Sequence, residues 1–199
     1  MTPARHAPAF FEQPYLRGEN PRAQSGFGGD DRRWEIARRP IATAIDRDGS
    51  FLDVGCASGY LLEALLRWSE YQIEPFGLDF APRLVELARE RLPHWSDRIF
   101  LGEALSWDPP RRFDFVRTEL CYVTPTCERE LLEQLLDRVV APGGRLIVCS
   151  YGSPRSGVPT EPVAARLRSW GFEPDLELCE EAPEGGGLVL ELAALRGPP

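Results

Sequence analysis

From Ser50 onward, short apolar runs alternate with stretches of helical spacing, and this alternation limits the fold more than any other feature of the chain. Phe51-Leu52-Asp53-Val54, Phe76-Gly77-Leu78, Ile99-Phe100-Leu101, Phe113-Asp114-Phe115-Val116 and Leu146-Ile147-Val148-Cys149 predict five short, buried strands. Between them lie apolar residues spaced as on one helix face: Leu61, Leu62, Leu65 and Leu66; Leu84, Val85, Ala88 and Leu92; and pairs at 131/132, 135/136 and 139/140. Strands separated by helices build βαβ units, hence a mostly parallel sheet covered on both faces. A helix over about 161–170 is followed by strands near 173–179 and 187–195. Only the Gly185-Gly186-Gly187 turn stands between the last two strands, so the final one is expected to run antiparallel. The expectation is an α/β, doubly wound, seven-stranded sheet occupying residues 48–199.

Residues 1–47 precede that unit as an N-terminal lid or helical extension. Residues 1–30 are rich in Pro, Gly and aromatics without a sustained period, which reads as an irregular lead-in. Asp30-Asp31 is placed to cap a helix running through Ile45 that Pro40 kinks or restarts. Thr124 or Thr126 is placed to cap the helix before Pro142-Gly143-Gly144, which turns the chain into the fifth strand.

Composition narrows the partners. A net charge of −8 works against phosphate-driven nucleic-acid binding, and all 23 basic residues are arginine. No apolar run has membrane length and the N-terminus lacks the apolar core of a signal peptide, so neither membrane nor export is expected. Five cysteines, never as CxxC, read as reduced thiols of a cytoplasmic protein. No His/Asp/Glu cluster has metal-ligand spacing, so no metal is expected. Nothing in the sequence sets an oligomeric state.

In an open α/β sheet, ligands bind beyond the carboxyl ends of the strands at the switch point. The segment Asp53-Val54-Gly55-Cys56-Ala57-Ser58-Gly59 lies there, a small-residue bend between a strand and a helix start. Gly55 and Gly59 allow a tight turn and close approach of a ligand to the backbone. The dinucleotide pattern GxGxxG is broken, since its three positions hold Gly55, Ala57 and Tyr60, and a P-loop is impossible without lysine. Asp53, an acid beside the bend, suits a ligand that carries a cation rather than a pyrophosphate.

The motif resembles motif I of the class I S-adenosylmethionine-dependent methyltransferases, with Ala57 in place of the middle glycine. Gly77-Leu78-Asp79-Phe80-Ala81 is similar to the family's second-strand end, whose acid binds both ribose hydroxyls. Gly102-Glu103-Ala104 is similar to the third-strand segment that reads adenine, with Glu for the usual Asp. Pro142-Gly143-Gly144-Arg145-Leu146 resembles the turn into strand five. The resemblance implies a Rossmann-like methyltransferase domain over 48–199 that binds S-adenosylmethionine through Asp53, Gly55, Cys56, Ala57, Gly59, Asp79, Phe80, Glu103, Ala104 and Glu119.

Plainer readings stand beside these. Asp53 meets the cofactor, caps the next helix or pairs with an arginine; Asp79 binds ribose or only caps the helix from Pro82. Phe80 faces adenine or packs in the core, and Glu119 faces the methionyl end or the substrate, or pairs with Arg117 or another arginine. Tyr15, Phe27, Tyr122 and Tyr151 are candidates for the acceptor side, with Tyr15, the 25–29 glycine-rich stretch and Trp34 as lid candidates. No catalytic base is assigned: His6 lies in the lead-in and His94 at the far end of the sheet. The function expected is methyl transfer from S-adenosylmethionine to a small-molecule acceptor. The alternatives are a non-catalytic binding module on the same fold and, by the broken glycine pattern less well supported, a nicotinamide oxidoreductase. No Asn-Pro-Pro-Tyr-type motif follows strand four, which weakens an amide or base nitrogen as the target.

Overall fold

The structure is a computed structural model that describes residues 8–26, 29–153, 157–182 and 187–198. Its strands are β1 (Gly49–Val54), β2 (Ile73–Asp79), β3 (Ile99–Leu101), β4 (Phe113–Glu119), β5 (Val140–Tyr151), β6 (Leu176–Glu181) and β7 (Leu188–Arg196). They form one seven-stranded sheet in the order β3-β2-β1-β4-β5-β7-β6. Strands β1 to β5 are parallel, and β7 runs antiparallel between β5 and β6. The expected antiparallel last strand is therefore present, inserted into the sheet rather than added at its edge. The order reverses at β1/β4, which opens a crevice at their carboxyl ends.

The helices are α1 (Pro8–Leu16), α2 (Asp31–Arg38), α3 (Tyr60–Trp68), α4 (Pro82–Arg91), α5 (Glu128–Gln134) and α6 (Val163–Ser169). Alternation along the strands explains why both faces need cover. Phe51, Phe115, Ile147 and Cys149 pack on one face with Leu61, Leu62, Leu65, Val85 and Ala88 of α3 and α4. Leu52, Val54, Val116, Leu146 and Val148 pack on the other with Leu131, Leu132, Val163 and Leu167 of α5 and α6. Burying a side chain of this kind contributes about 1.5–3 kcal/mol.

Several boundaries differ from expectation. The lead-in contains α1 despite its lack of periodicity and despite Pro14 inside it. Tertiary docking explains it: buried Glu12 accepts a hydrogen bond from the Arg83 backbone N–H (3.0 Å) in the first turn of α4. That turn has no cap of its own, because Ala81 at the N-cap has no side chain to offer. Asp30 caps α2 as expected, accepting from Arg33 N at 2.9 Å, and Pro40 converts the helix into a 3-10 segment over Arg39–Ala44. Its Ile41 and Ala44, with Ile45, are buried in the first-face core. Neither Thr124 nor Thr126 caps α5; their hydroxyls lie 3.1 Å apart and Cys127 takes the N-cap position without a side-chain bond. Past α5 the chain winds through a π segment, Leu135–Val139. The 142–144 turn sits within β5, in the register shift between the pairs Phe113↔Val140 and Phe115↔Arg145. Most of the 183–187 turn lies outside the described residues.

Candidate active site

The glycine bend hangs from the end of β2. Gly55 N and Cys56 N both donate to Leu78 O, at 2.7 and 3.1 Å, and Gly59 N closes the turn on Cys56 O at 2.8 Å. Gly55 (φ 79°) and Gly59 (φ 72°) are in the left-handed region, and so is Ala57 (φ 46°). Ala57 thus keeps the conformation of a glycine position while carrying a Cβ that this region disfavours. The Cys56 side chain turns away into the core, where a Cβ on Gly77 would stand 2.7 Å from its Sγ; only its backbone belongs to the bend.

Asp79 stitches the crevice together. One carboxylate oxygen accepts Ala57 N and the other Ala81 N, both at 2.9 Å. The acid is buried, which pushes its pKa up, while these N–H groups pull it back. Phe80, half-buried, follows it. Gly102 N donates to Asp79 O (3.0 Å), which brings the turn after β3 alongside. There Glu103 is exposed and Ala104 packs against the second-face core.

Asp53 lies at the end of β1, 1% exposed. Its neighbour across the sheet is Arg117 of β4, 3% exposed, whose Nη1 donates to Asp53 Oδ1 at 3.1 Å. Nη1 also donates to the Tyr122 hydroxyl (2.9 Å) and Nη2 to the Tyr151 hydroxyl (3.1 Å), with Glu119 bound to Nη2 as well. The Tyr122 hydroxyl donates to Glu119 at 2.6 Å. Arg117 is therefore the hub of four site residues. Burial pushes the Asp53 carboxyl up to about 6 against the opposing pull of Arg117. Burial works the same way on Glu119, but there Arg117 and the Tyr122 hydroxyl prevail and hold the group below the usual carboxylate range. Burial also raises the Tyr122 and Tyr151 phenols, and burial together with the neighbouring Glu119 carboxylate lifts the Cys121 thiol to about 12, so none of the three is an ionised nucleophile near neutrality.

The structure brings Asp53, the 55–59 bend, Asp79, Glu119, Tyr122 and Tyr151 together. Tyr15 joins them from α1: its ring lies on the backbone of Gly26, where a Cβ would stand 2.7 Å away, and its phenol is raised by burial and then by the charges of Glu119 and Asp79. Trp34 is not a lid. It is buried beside Tyr60 and Trp68 at centroid distances of 4.4 and 5.3 Å, with its Nε1 donating to Ser25 Oγ. Phe27 lies outside the described residues. Sequence reasoning gave Arg117 only as a partner for Glu119 and missed its central place. The available signal was an arginine in mid-strand, two residues from Phe115 and so on the same face as that apolar ring. Among the described residues, no group of three or more His, Cys, Asp or Glu is placed to hold a metal ion.

Residues 51–144 match the family model described as a methyltransferase domain. Over those 94 of its 199 residues the chain is similar to a methyltransferase domain. Its relatives include a demethylmenaquinone methyltransferase of Deinococcus radiodurans, 31% identical over 134 residues, which are 65% of this chain and 54% of that protein. Another is the tRNA N(3)-methylcytidine methyltransferase Mettl2 of Drosophila melanogaster, 28% identical over 139 residues, 61% of this chain and 42% of that protein. The chain thus spans about half the length of the curated relatives it matches. The methyltransferase fold extends beyond the matched segment. The N-methyltransferase NodS from Bradyrhizobium japonicum WM9, in complex with S-adenosyl-L-homocysteine, superposes with a TM-score of 0.62 over 96% of this chain and 98% of that one at 19% identity. The Burkholderia thailandensis 1,6-didemethyltoxoflavin-N1-methyltransferase gives 0.60 over 98% and 92% at 20% identity.

Proposed function

We propose that this chain is an S-adenosylmethionine-dependent methyltransferase acting on a small-molecule acceptor. The observation that carries the reading is the glycine bend slung between the ends of β1 and β2, with Asp53 and Asp79 buried on either side. The residues suit such a donor. Gly55 has no side chain to obstruct approach, and the Asp79 carboxylate, beyond the backbone N–H groups of Ala57, Ala81 and Phe80, keeps acceptor capacity for a ribose hydroxyl. In this reading Asp53, Gly55, Cys56, Ala57, Gly59, Asp79, Phe80, Glu103, Ala104 and Glu119 hold the donor, Cys56 through its backbone. Tyr15, Tyr122 and Tyr151 border the acceptor, and the N-terminal extension, residues 1–47, serves as its cover.

The donor, when bound, supplies an already activated sulfonium methyl. The protein's part is to orient the acceptor and exclude water, effects that reach about 7–11 kcal/mol in well-aligned reactions. Asp53, Asp79 and Glu119, against the charges of Arg117 and of Arg38 over the Tyr151 ring, leave the site net negative and suited to a cationic donor. No proton-accepting residue is assigned. The net charge of −8 favours a small acceptor over nucleic acid, and five free thiols accord with a cytoplasmic setting. No helix among the described residues is long and apolar enough to cross a membrane.

A second reading, a binding module on the same fold without turnover, is favoured by one feature: the Tyr122 ring lies on Gly55. Calorimetric titration with S-adenosylhomocysteine and with NAD, followed by incubation with labelled methyl donor and acceptor pools, separates the readings. Binding of S-adenosylhomocysteine with labelled product supports the enzyme. Binding without product across broad pools supports the module, and binding of NAD alone refutes both.

A further inference from the structure

Tyr122 stands where the proposed donor has to lie. A Cβ built on Gly55 would meet Tyr122 Cε2 at 2.4 Å, Cζ at 2.5 Å and the hydroxyl at 2.9 Å. The ring therefore fills the space left open by the missing side chain, at the turn where backbone access matters most. Two polar contacts retain it, the Arg117 Nη1 bond and the bond to Glu119. Both involve charged groups, which strengthens them. Yet the residue is 38% exposed, and it ends the short 3-10 turn Leu120–Tyr122, whose buried anchor is Leu120 rather than the tyrosine. Arg117 keeps Asp53, Glu119 and Tyr151 if the tyrosine leaves, so its buried charge stays compensated. The ring can depart toward solvent without opening the core.

We infer that Tyr122 is the protein's own occupant of the donor cradle: it covers Gly55 in the free protein and swings aside when the donor binds, so donor affinity is set by an equilibrium between closed and open positions of this one side chain. The inference rests on the methyltransferase reading above. A ligand that binds only the open form has its affinity reduced by the fraction of molecules that are open. Loosening the tyrosine therefore tightens binding, whereas removing a residue that touches the donor weakens it.

The test is calorimetric titration of S-adenosylhomocysteine into the wild-type chain, Y122F and Y122A, each checked by circular dichroism and melting. Y122F keeps the ring but loses both polar bonds, and Y122A clears Gly55. The expected order is Y122A tightest, Y122F between and wild type weakest, with Y122A gaining about tenfold as the open fraction approaches one. Should Y122A fail to fold, tighter binding by Y122F alone supports the inference. Equal or weaker binding by folded variants, with the wild type binding, overturns it and leaves the donor site standing. If no folded form binds, the methyltransferase reading falls and the inference with it.

Discussion

Asp53 and Arg117 face each other across adjacent parallel strands, paired in register and joined by a 3.1 Å ion pair between two buried groups. Their strand positions are what draw Glu119, Tyr122 and Tyr151 into one network, since residues 117, 119 and 151 lie on the same face as Asp53 by the two-residue period of β-structure. A buried pair of this kind adds little stability over an apolar pair, but losing one partner is costly.

Arg117→Leu is accordingly expected to lower stability by about 3–5 kcal/mol, because Asp53 and Glu119 are left without their cation in a desolvated site. Urea denaturation of the variant measures the loss. A change below about 1 kcal/mol would show that water already reaches these carboxylates.

The raised Asp53 pKa makes stability depend on pH in a defined direction. Its ordinary value is 3.8 and the folded value about 6, so across that interval the folded chain holds a proton that the unfolded chain has lost. The contribution is fully present below pH about 4 and disappears as pH rises through about 6. Wild type should therefore lose stability relative to Asp53→Asn as pH rises through this window. Comparison with the variant cancels Asp46 and Asp114, whose pKa values are lowered and whose slopes are opposite. Parallel stability curves for the two proteins would rule out the shift.

Asp79→Asn should weaken S-adenosylhomocysteine binding by about 1–3 kcal/mol, through loss of charge-assisted hydrogen bonds. Asn keeps one oxygen for either the Ala57 or the Ala81 N–H group and turns its NH2 toward the other, whereas Ala would leave both without an acceptor. An unchanged dissociation constant removes Asp79 from the donor site.

Glu12→Ala should undock α1 from α4 at a cost of about 1 kcal/mol, the usual value of a lost helix cap. Hydrogen exchange is the suitable measurement: the Arg83 amide and residues 8–16 should lose protection while the strands keep theirs. Unaltered protection at Arg83 would mean that water replaces the carboxylate without consequence.

The sheet was legible because each strand is a short apolar run bounded by a turn or a helix, and burial on both faces leaves such a run few alternatives. The 53–59 bend was legible for a related reason: a strand that ends in two glycines four residues apart, before a helix, has to turn there. α1 was not legible. Its stability comes from a carboxylate reaching a helix end more than seventy positions later, an interaction that leaves no local period. The threonine caps expected before α5 failed because the two hydroxyls are within bonding distance of each other rather than of the helix N–H groups.

The residues that can surround a donor, including Asp53, the glycines and Asp79, follow from local sequence, because backbone conformation and strand ends are set by neighbours in the chain. That Arg117 gathers Asp53, Glu119, Tyr122 and Tyr151, and that Tyr122 rests on Gly55, was decided only when β1, β4 and β5 came side by side. Charge pairing in a buried site depends on which strands are adjacent and in what register, and no stretch of sequence contains that information by itself.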